Sequence, residues 1–244
     1  MKRPSSGSLS SRHVESEILD HLAENDPRAI ASRRDLRRLN FLMAQPAFTA
    51  QLLRGNVGKP PQRLLEIGSG DGSFMLQVAR RLARDWPDVE LTLLDRQHLV
   101  TNGTRDAFAA LGWSVRVLTT DIFDWIGSPS SSSFDAISAN LFLHHFDEVT
   151  LSRLLSGLAQ RSPVFVATEP RRAQFPLLAS RMLRVIGAND VTRNDAPASV
   201  RAGFRGNEIS ALWPDRRWMK LEERKRGLFT HTFSASSILT GEQP

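Results

Sequence analysis

The stretch from Leu64 to Phe74 reads LLEIGSGDGSF. Apolar residues around a single acid mark a short buried strand, "RLLEI", and helical spacing resumes at Ser73. Between them Gly68, Gly70 and Gly72 alternate with Ser69 and Asp71. Glycines placed directly after a buried strand let a ligand lie against the backbone at the strand's carboxyl end.

The rest of the chain repeats that strand–helix unit. "SFMLQVARRLARDW" is helical, "VELTLLD" a strand, "VTNGTRDAFAALG" helical and "SVRVLTTD" a strand. After the serine-rich "GSPSSSS" come the strand "FDAISAN", the helix "EVTLSRLLSGLAQ" and the strand "VFVATEP". Apolar strands alternating with helices predict a parallel sheet covered on both faces. "FPLLASRMLRVIG" and "GNEISALWP" read as further helices, and "RWMKLEERKRGLFTHTFSAS" as two strands around Gly227. Upstream, "VESEILDHLAE" carries Val14, Ile18, Leu19 and Leu22 at helical spacing. Asp26-Pro27 opens a second, arginine-rich helix, and "RGNVGKPPQ" is turn chemistry leading into the main domain. The expected division is a disordered arm over 1–12, a helical cap over 13–58, the main domain over 59–238 and a tail over 239–244.

The glycine spacing narrows the ligand. A dinucleotide fingerprint needs its last glycine where Ser73 stands, and no Gly-Lys-Ser/Thr follows to make a P-loop. Glu66 lies just ahead of the loop, where an unpaired carboxylate repels a pyrophosphate but suits an ammonium and a sulfonium. From Arg63 onward the chain resembles the class I S-adenosylmethionine-dependent methyltransferases, whose first motif is an acid followed by alternate glycines. The wording of "LHHF" resembles bacterial small-molecule enzymes of the quinone-pathway type.

The resemblance implies a doubly wound, Rossmann-like α/β fold with seven strands, the last antiparallel, and S-adenosyl-L-methionine as cofactor, leaving S-adenosyl-L-homocysteine as product. It assigns Glu66, Gly68, Ser69, Gly70 and Gly72 to the cofactor loop. Asp95, with Arg96 beside it, falls where the family holds the ribose; Asp121 and Ile122 fall at the adenine, and Asn140 ends the fourth strand. Asp95 and Asp121 also read as helix caps, and Glu66 as the partner of an arginine.

Absences shape the acceptor. The fourth strand ends Asn140-Leu141-Phe142-Leu143 rather than Asn/Asp-Pro-Pro-aromatic, which disfavours methylation of base amines. Without an acid set there, no metal is expected. His144 and His145 stand at the rim, where a neutral imidazole can take a proton from a phenol, enol or activated carbon. His145 is the favoured base and His144 the second; Glu169 orients a histidine, contacts substrate or forms a salt bridge. His231 reads as packing. The arginine-rich helix is either a solvated face or a lid over the cofactor cleft.

Cysteine is absent, which excludes disulfides and thiol chemistry and fits a reducing, cytoplasmic setting. The start has no apolar run of a signal peptide, and no segment approaches the roughly 20 residues of a membrane span. A net charge of +6 raises nucleic acid as a partner, but the arginines are scattered among acids. The expected activity is methyl transfer to an oxygen, or a carbon, of a small apolar or aromatic metabolite. The alternatives are an RNA or protein methyltransferase, and a cofactor-binding partner protein without turnover.

Overall fold

The computed structural model describes residues 9–128, 133–214, 217 and 219–238. Seven strands form one sheet: β1 (Arg63–Ile67), β2 (Glu90–Asp95), β3 (Ser114–Thr119), β4 (Ala136–Asn140), β5 (Val164–Pro170), β6 (Met219–Arg226) and β7 (Thr230–Ser237). Their order is β3-β2-β1-β4-β5-β7-β6. The first five strands pair in parallel, and β7 lies antiparallel between β5 and β6. The expected doubly wound sheet with an antiparallel last strand is therefore present.

Helices cover both faces: α1 (Pro27–Leu42), α2 (Gln45–Asn56), α3 (Ser73–Leu82), α4 (Asn102–Ala109), α5 (Ile122–Gly127), α6 (Glu148–Ala159), α7 (Gln174–Arg181), α8 (Asp190–Ala202) and α9 (Glu208–Leu212). Two apolar clusters result. One gathers Leu65, Ile67, Leu154 and Phe165 with α6 and β7; the other gathers Leu64, Val78, Leu82 and Leu91 with α3. Ala50 and Leu53 of α2 belong to the second cluster, so this helix packs into the main core. It begins before and runs into "RGNVGKPPQ", whose first three residues are helical.

The sequence expectation of a helix over "VESEILDHLAE" is not met. Only a single 3-10 turn forms, Leu19–His21. The backbone N–H groups of Ile18 and Leu19 donate instead to the Asp195 carboxylate of α8, each at 3.0 Å. A side chain from a distant element has taken the donors that a helix needs early in its course. The segment expected as one helix over "FPLLASRMLRVIG" is α7 followed by a separate 3-10 turn, closed at Gly187 with φ 74°.

The N-terminal arm expected over 1–12 falls mostly on residues 1–8, which lie outside the described residues, as does the tail from residue 239. Arg12 is docked: its guanidinium donates to the carbonyls of Ala202 and Phe146 and lies 4.3 Å from the centre of the Phe204 ring. No helix among the described residues is long and apolar enough to cross a membrane.

Candidate active site

Strand order reverses between β1 and β4, and in open α/β sheets ligands bind in the crevice outside the strands' carboxyl ends at such a point. The glycine loop leaves β1 there. Gly68, Gly70 and Gly72 all have positive φ, at 65°, 53° and 76°. At Gly68 a Cβ would sit 2.3 Å from the Phe142 ring, so the close approach of the next strand's exit requires glycine. At Gly70 a Cβ would meet nothing within 4 Å, which leaves the backbone bare toward open space.

Carboxylates organise that space. Asp95 at the end of β2 accepts from Gly70 N at 2.8 Å and from Gln97 N at 2.9 Å, latching the loop to the neighbouring strand. Asp121 caps α5 by accepting from Phe123 N at 2.8 Å. Glu66 is buried in β1, and its Oε2 has no partner among the described residues. Burial first, then the Asp95 and Asp71 charges, push its carboxyl well above the usual range. Such a carboxylate lacks a cation, and an ammonium or sulfonium supplies one.

Beyond β4 the chain turns sharply at Leu141, whose φ is 50°. A branched residue in the left-handed region is strained, and its N–H is held by the Thr168 carbonyl at 2.9 Å. A 3-10 turn, Leu143–His145, follows. Glu169 of β5 accepts from the N–H groups of Phe142 and Leu143 at 3.0 and 2.8 Å, and pairs with His144 Nδ1 at 2.8 Å. The other nitrogen, His144 Nε2, lies 3.4 Å from Glu17 Oε1. Burial alone would lower this imidazole, but the hydrogen bonds and charges of Glu169 and Glu17 outweigh it and raise it to about 9. His144 is therefore an imidazolium near neutrality. His145 stacks on it, with ring centres 4.3 Å apart, and its Nδ1 pairs with Asp20 at 3.3 Å.

Next to Leu141 lies a cavity of about 280 Å³. Leu36, Leu39 and Leu42 of α1, Leu183 after α7 and Val200 of α8 supply its apolar wall. The N-terminal segment and α1 also reach the cofactor crevice. Arg37 pairs with Asp71 of the glycine loop at 2.6 Å, and Glu24 accepts from His98 N at 2.8 Å.

Residues 64–161 match the family model described as "Methyltransferase domain". Among solved structures, the chain is similar to the plantazolicin methyltransferase BpumL in complex with SAH: TM-score 0.60, 15% identity, over 87% of this chain and 91% of that one. An O-methyltransferase family protein from Burkholderia thailandensis gives TM-score 0.62 and 17% identity, over 92% of this chain and 62% of that one. The mitomycin 7-O-methyltransferase MmcR gives 0.58 and 20%, over 91% and 61%. This chain thus spans about three fifths of the length of the latter two. No curated protein sequence matches it significantly.

Residues 64–161 thus match a methyltransferase domain, within a sheet of the Rossmann-like methyltransferase type.

The loop glycines, Ser69, Glu66, Asp95, Asp121 and Ile122 lie at or just beyond the carboxyl ends of β1, β2 and β3. Ser69 is buried, and its hydroxyl has no partner among the described residues. Two of the assigned residues are committed elsewhere. Arg96 is largely exposed and lies 3.7 Å from Asp20. The Asn140 amide donates to Gln45 Oε1 and, at 2.9 Å, to Thr168 Oγ1, and accepts from Asn40 at 3.1 Å. Asn140 therefore ties α1 and α2 to the sheet with its side chain.

Neither His144 nor His145 forms part of the cavity wall; Glu17 does. The 3-10 turn directs both rings onto the N-terminal segment, so His145 meets Asp20 rather than open acceptor space. No metal is expected from the end of the fourth strand, yet one cluster near it could hold an ion. Glu17, His144 and His145 each bring one ligand atom to within 4.8 Å of the others, and here these groups are held by ion pairs. His231 pairs with Glu223 at 2.7 Å, a buried contact behind the site.

Glu17 and α8 are the parts of the cavity wall that sequence reasoning missed. Glu17 sat on the polar face of an expected helix. α8 carries signals that would have found it: an Asn189 cap accepting from Thr192 N, and buried Val191, Asp195, Ala198 and Ala202 at helical spacing. Pro197 inside it masks the pattern.

Proposed function

We propose that the methyltransferase acts on an oxygen, or a carbon, of a small apolar or aromatic acceptor lodged in the cavity beside Leu141. The observation that carries this reading is the cavity: it lies beside Leu141 and Pro170 at the carboxyl ends of β4 and β5, and aliphatic side chains from three helices dominate its wall. A macromolecular substrate needs an open, charged approach. Here that approach is roofed by α1 and the segment leading to it.

S-adenosyl-L-methionine supplies an electrophilic methyl group on a sulfonium. The chain's own share is binding and alignment. Glu66 offers negative charge to the ammonium and sulfonium end, and Asp95 offers the lone pairs left by its two backbone bonds to the ribose. The Asp121–Ile122 turn lies where the adenine is expected. α1 excludes water and places the acceptor. Nucleic acid is not part of this reading, since the arginines nearest the crevice are used internally, Arg37 on Asp71 and Arg33 on Gln97.

The test is to supply the full chain with methyl-labelled cofactor and a fractionated cell extract. Label is expected in organic-extractable small molecules. Label in RNA or protein overturns the reading, and tight cofactor binding with label in no fraction favours a non-catalytic partner protein.

A further inference from the structure

Two carboxylates line the apolar cavity, Glu17 and Asp195, and they differ in remaining capacity. Asp195 is spent. Its Oδ1 accepts from Ile18 N and Asn194 Nδ2, and its Oδ2 from Leu19 N, all at 3.0 Å. Glu17 places both of its bonds on one oxygen: Oε1 lies 3.4 Å from His144 Nε2 and accepts from the Ser199 hydroxyl. Among the described residues its Oε2 has no partner. A carboxylate oxygen left open in a wall of leucines invites a donor from whatever fills the cavity.

Behind Glu17 the polar line continues through His144 to Glu169. The two carboxylates and the imidazolium between them carry a net charge of −1, and one further proton neutralises the set. A proton delivered at Glu17 is shared by the whole set, whose titration belongs to the group. Asp195 has no such line behind it.

We propose that Glu17 is the catalytic residue that receives the acceptor's proton, and that the acceptor presents its methylated oxygen as a hydroxyl on an otherwise apolar body. This rests on the reading of the cavity as the acceptor site. The acceptor exchanges its O–H bond for an O–CH3 bond, and the proton goes to Glu17. The S–CH3 bond of the sulfonium breaks, and its electron pair stays on sulfur as a neutral thioether. His144 and Glu169 are positioning residues that hold Glu17 toward the cavity.

The full chain, saturated with S-adenosylhomocysteine, is titrated calorimetrically with 4-ethylphenol and with 4-ethylanisole, which masks the hydroxyl. The phenol should bind at least about tenfold tighter than the ether, because only it satisfies the open carboxylate. Glu17→Leu should reduce that preference to about twofold or less. Equal binding of phenol and ether by the natural chain overturns the proposal while leaving the cavity reading intact; binding of neither overturns both. With the active cofactor, single-turnover methylation of 4-ethylphenol should fall about 10²-fold or more in the isosteric Glu17→Gln. Equal rates, or no methylation of the bound phenol by the natural chain, also overturn it. Glu169→Gln should shift the pH profile of the transfer rate, and an unmoved profile removes Glu169 from the line.

Discussion

Glu66 is buried, and among the described residues its Oε2 has no partner and its carboxylate no ion pair. Because burial raises its carboxyl well above the ordinary range, it binds a proton more readily in the free protein than beside a cation. Binding of S-adenosylhomocysteine, which brings an ammonium, should therefore release protons near neutral pH. Calorimetry in buffers of different ionisation enthalpy should show a buffer-dependent heat that Glu66→Gln abolishes; a buffer-independent heat would refute the assignment. His144 makes a second residue-scale prediction. Its folded value of about 9 stands above the 6.5 of a free imidazole, so its contribution to stability is complete below about 6.5 and is lost as pH rises through about 9. Glu17 and Glu169 would be raised by burial, but His144 outweighs this and holds both below their usual range. Their share is present above about 4.5 and fades as pH falls further. The melting temperature should decline between pH 6.5 and 9.5 in the natural chain, and markedly less in His144→Gln.

The elements that close the site are held by side chains that reach across the fold. α8 carries Asp195, which accepts both backbone donors of Ile18 and Leu19, while Asp35 of α1 accepts from Asn189 N at 2.8 Å. Residues 13–22 have little regular structure of their own, so this docking carries them. Asp195→Ala should free the segment, at a cost of about 1–3 kcal/mol for each buried donor left unmet. Hydrogen exchange at Ile18 and Leu19 should quicken at least about tenfold while the amides of β1 and β4 remain protected. Unchanged exchange at those two amides would show that the segment is held by something else.

The whole molecule carries a charge of +6, yet several of its arginines are spent on ion pairs. Arg54 pairs with Asp85 at 2.6 Å, Arg37 with Asp71 at 2.6 Å, and Arg172 is buried against Glu208. Binding to a labelled RNA 20-mer should stay within the non-specific range, at a Kd of about 10⁻⁶–10⁻⁴ M at physiological salt. Submicromolar affinity with a steep salt dependence would instead restore the RNA-methyltransferase reading.

Local pattern was enough for the sheet and the cofactor crevice. The parallel strands announce themselves as apolar or alternating runs, and the Glu66, Gly68–Gly72, Asp95 and Asp121 landmarks sit at strand ends, where position in the chain already fixes position in the fold. β7 was legible for the same reason, with a turn at Gly227 between two β-rich runs. The acceptor side was not legible, because its parts meet only in three dimensions. Glu17 and Asp195 are separated by most of the chain, and α8 hides its helical spacing behind Pro197. The stretch around Glu17 looks like an amphipathic helix until Asp195 captures its backbone donors. His144 and His145 could be placed at the rim from sequence. Which way their rings turn depends on the Leu141 bend and on the carboxylates that Glu17, Asp20 and Glu169 bring to them. The sequence by itself determined the α/β architecture and the cofactor loop, whose requirements are backbone conformation and short-range order. Tertiary structure alone decided which carboxylates line the cavity, because burial, partner and charge at Glu17 are set by elements remote in the chain.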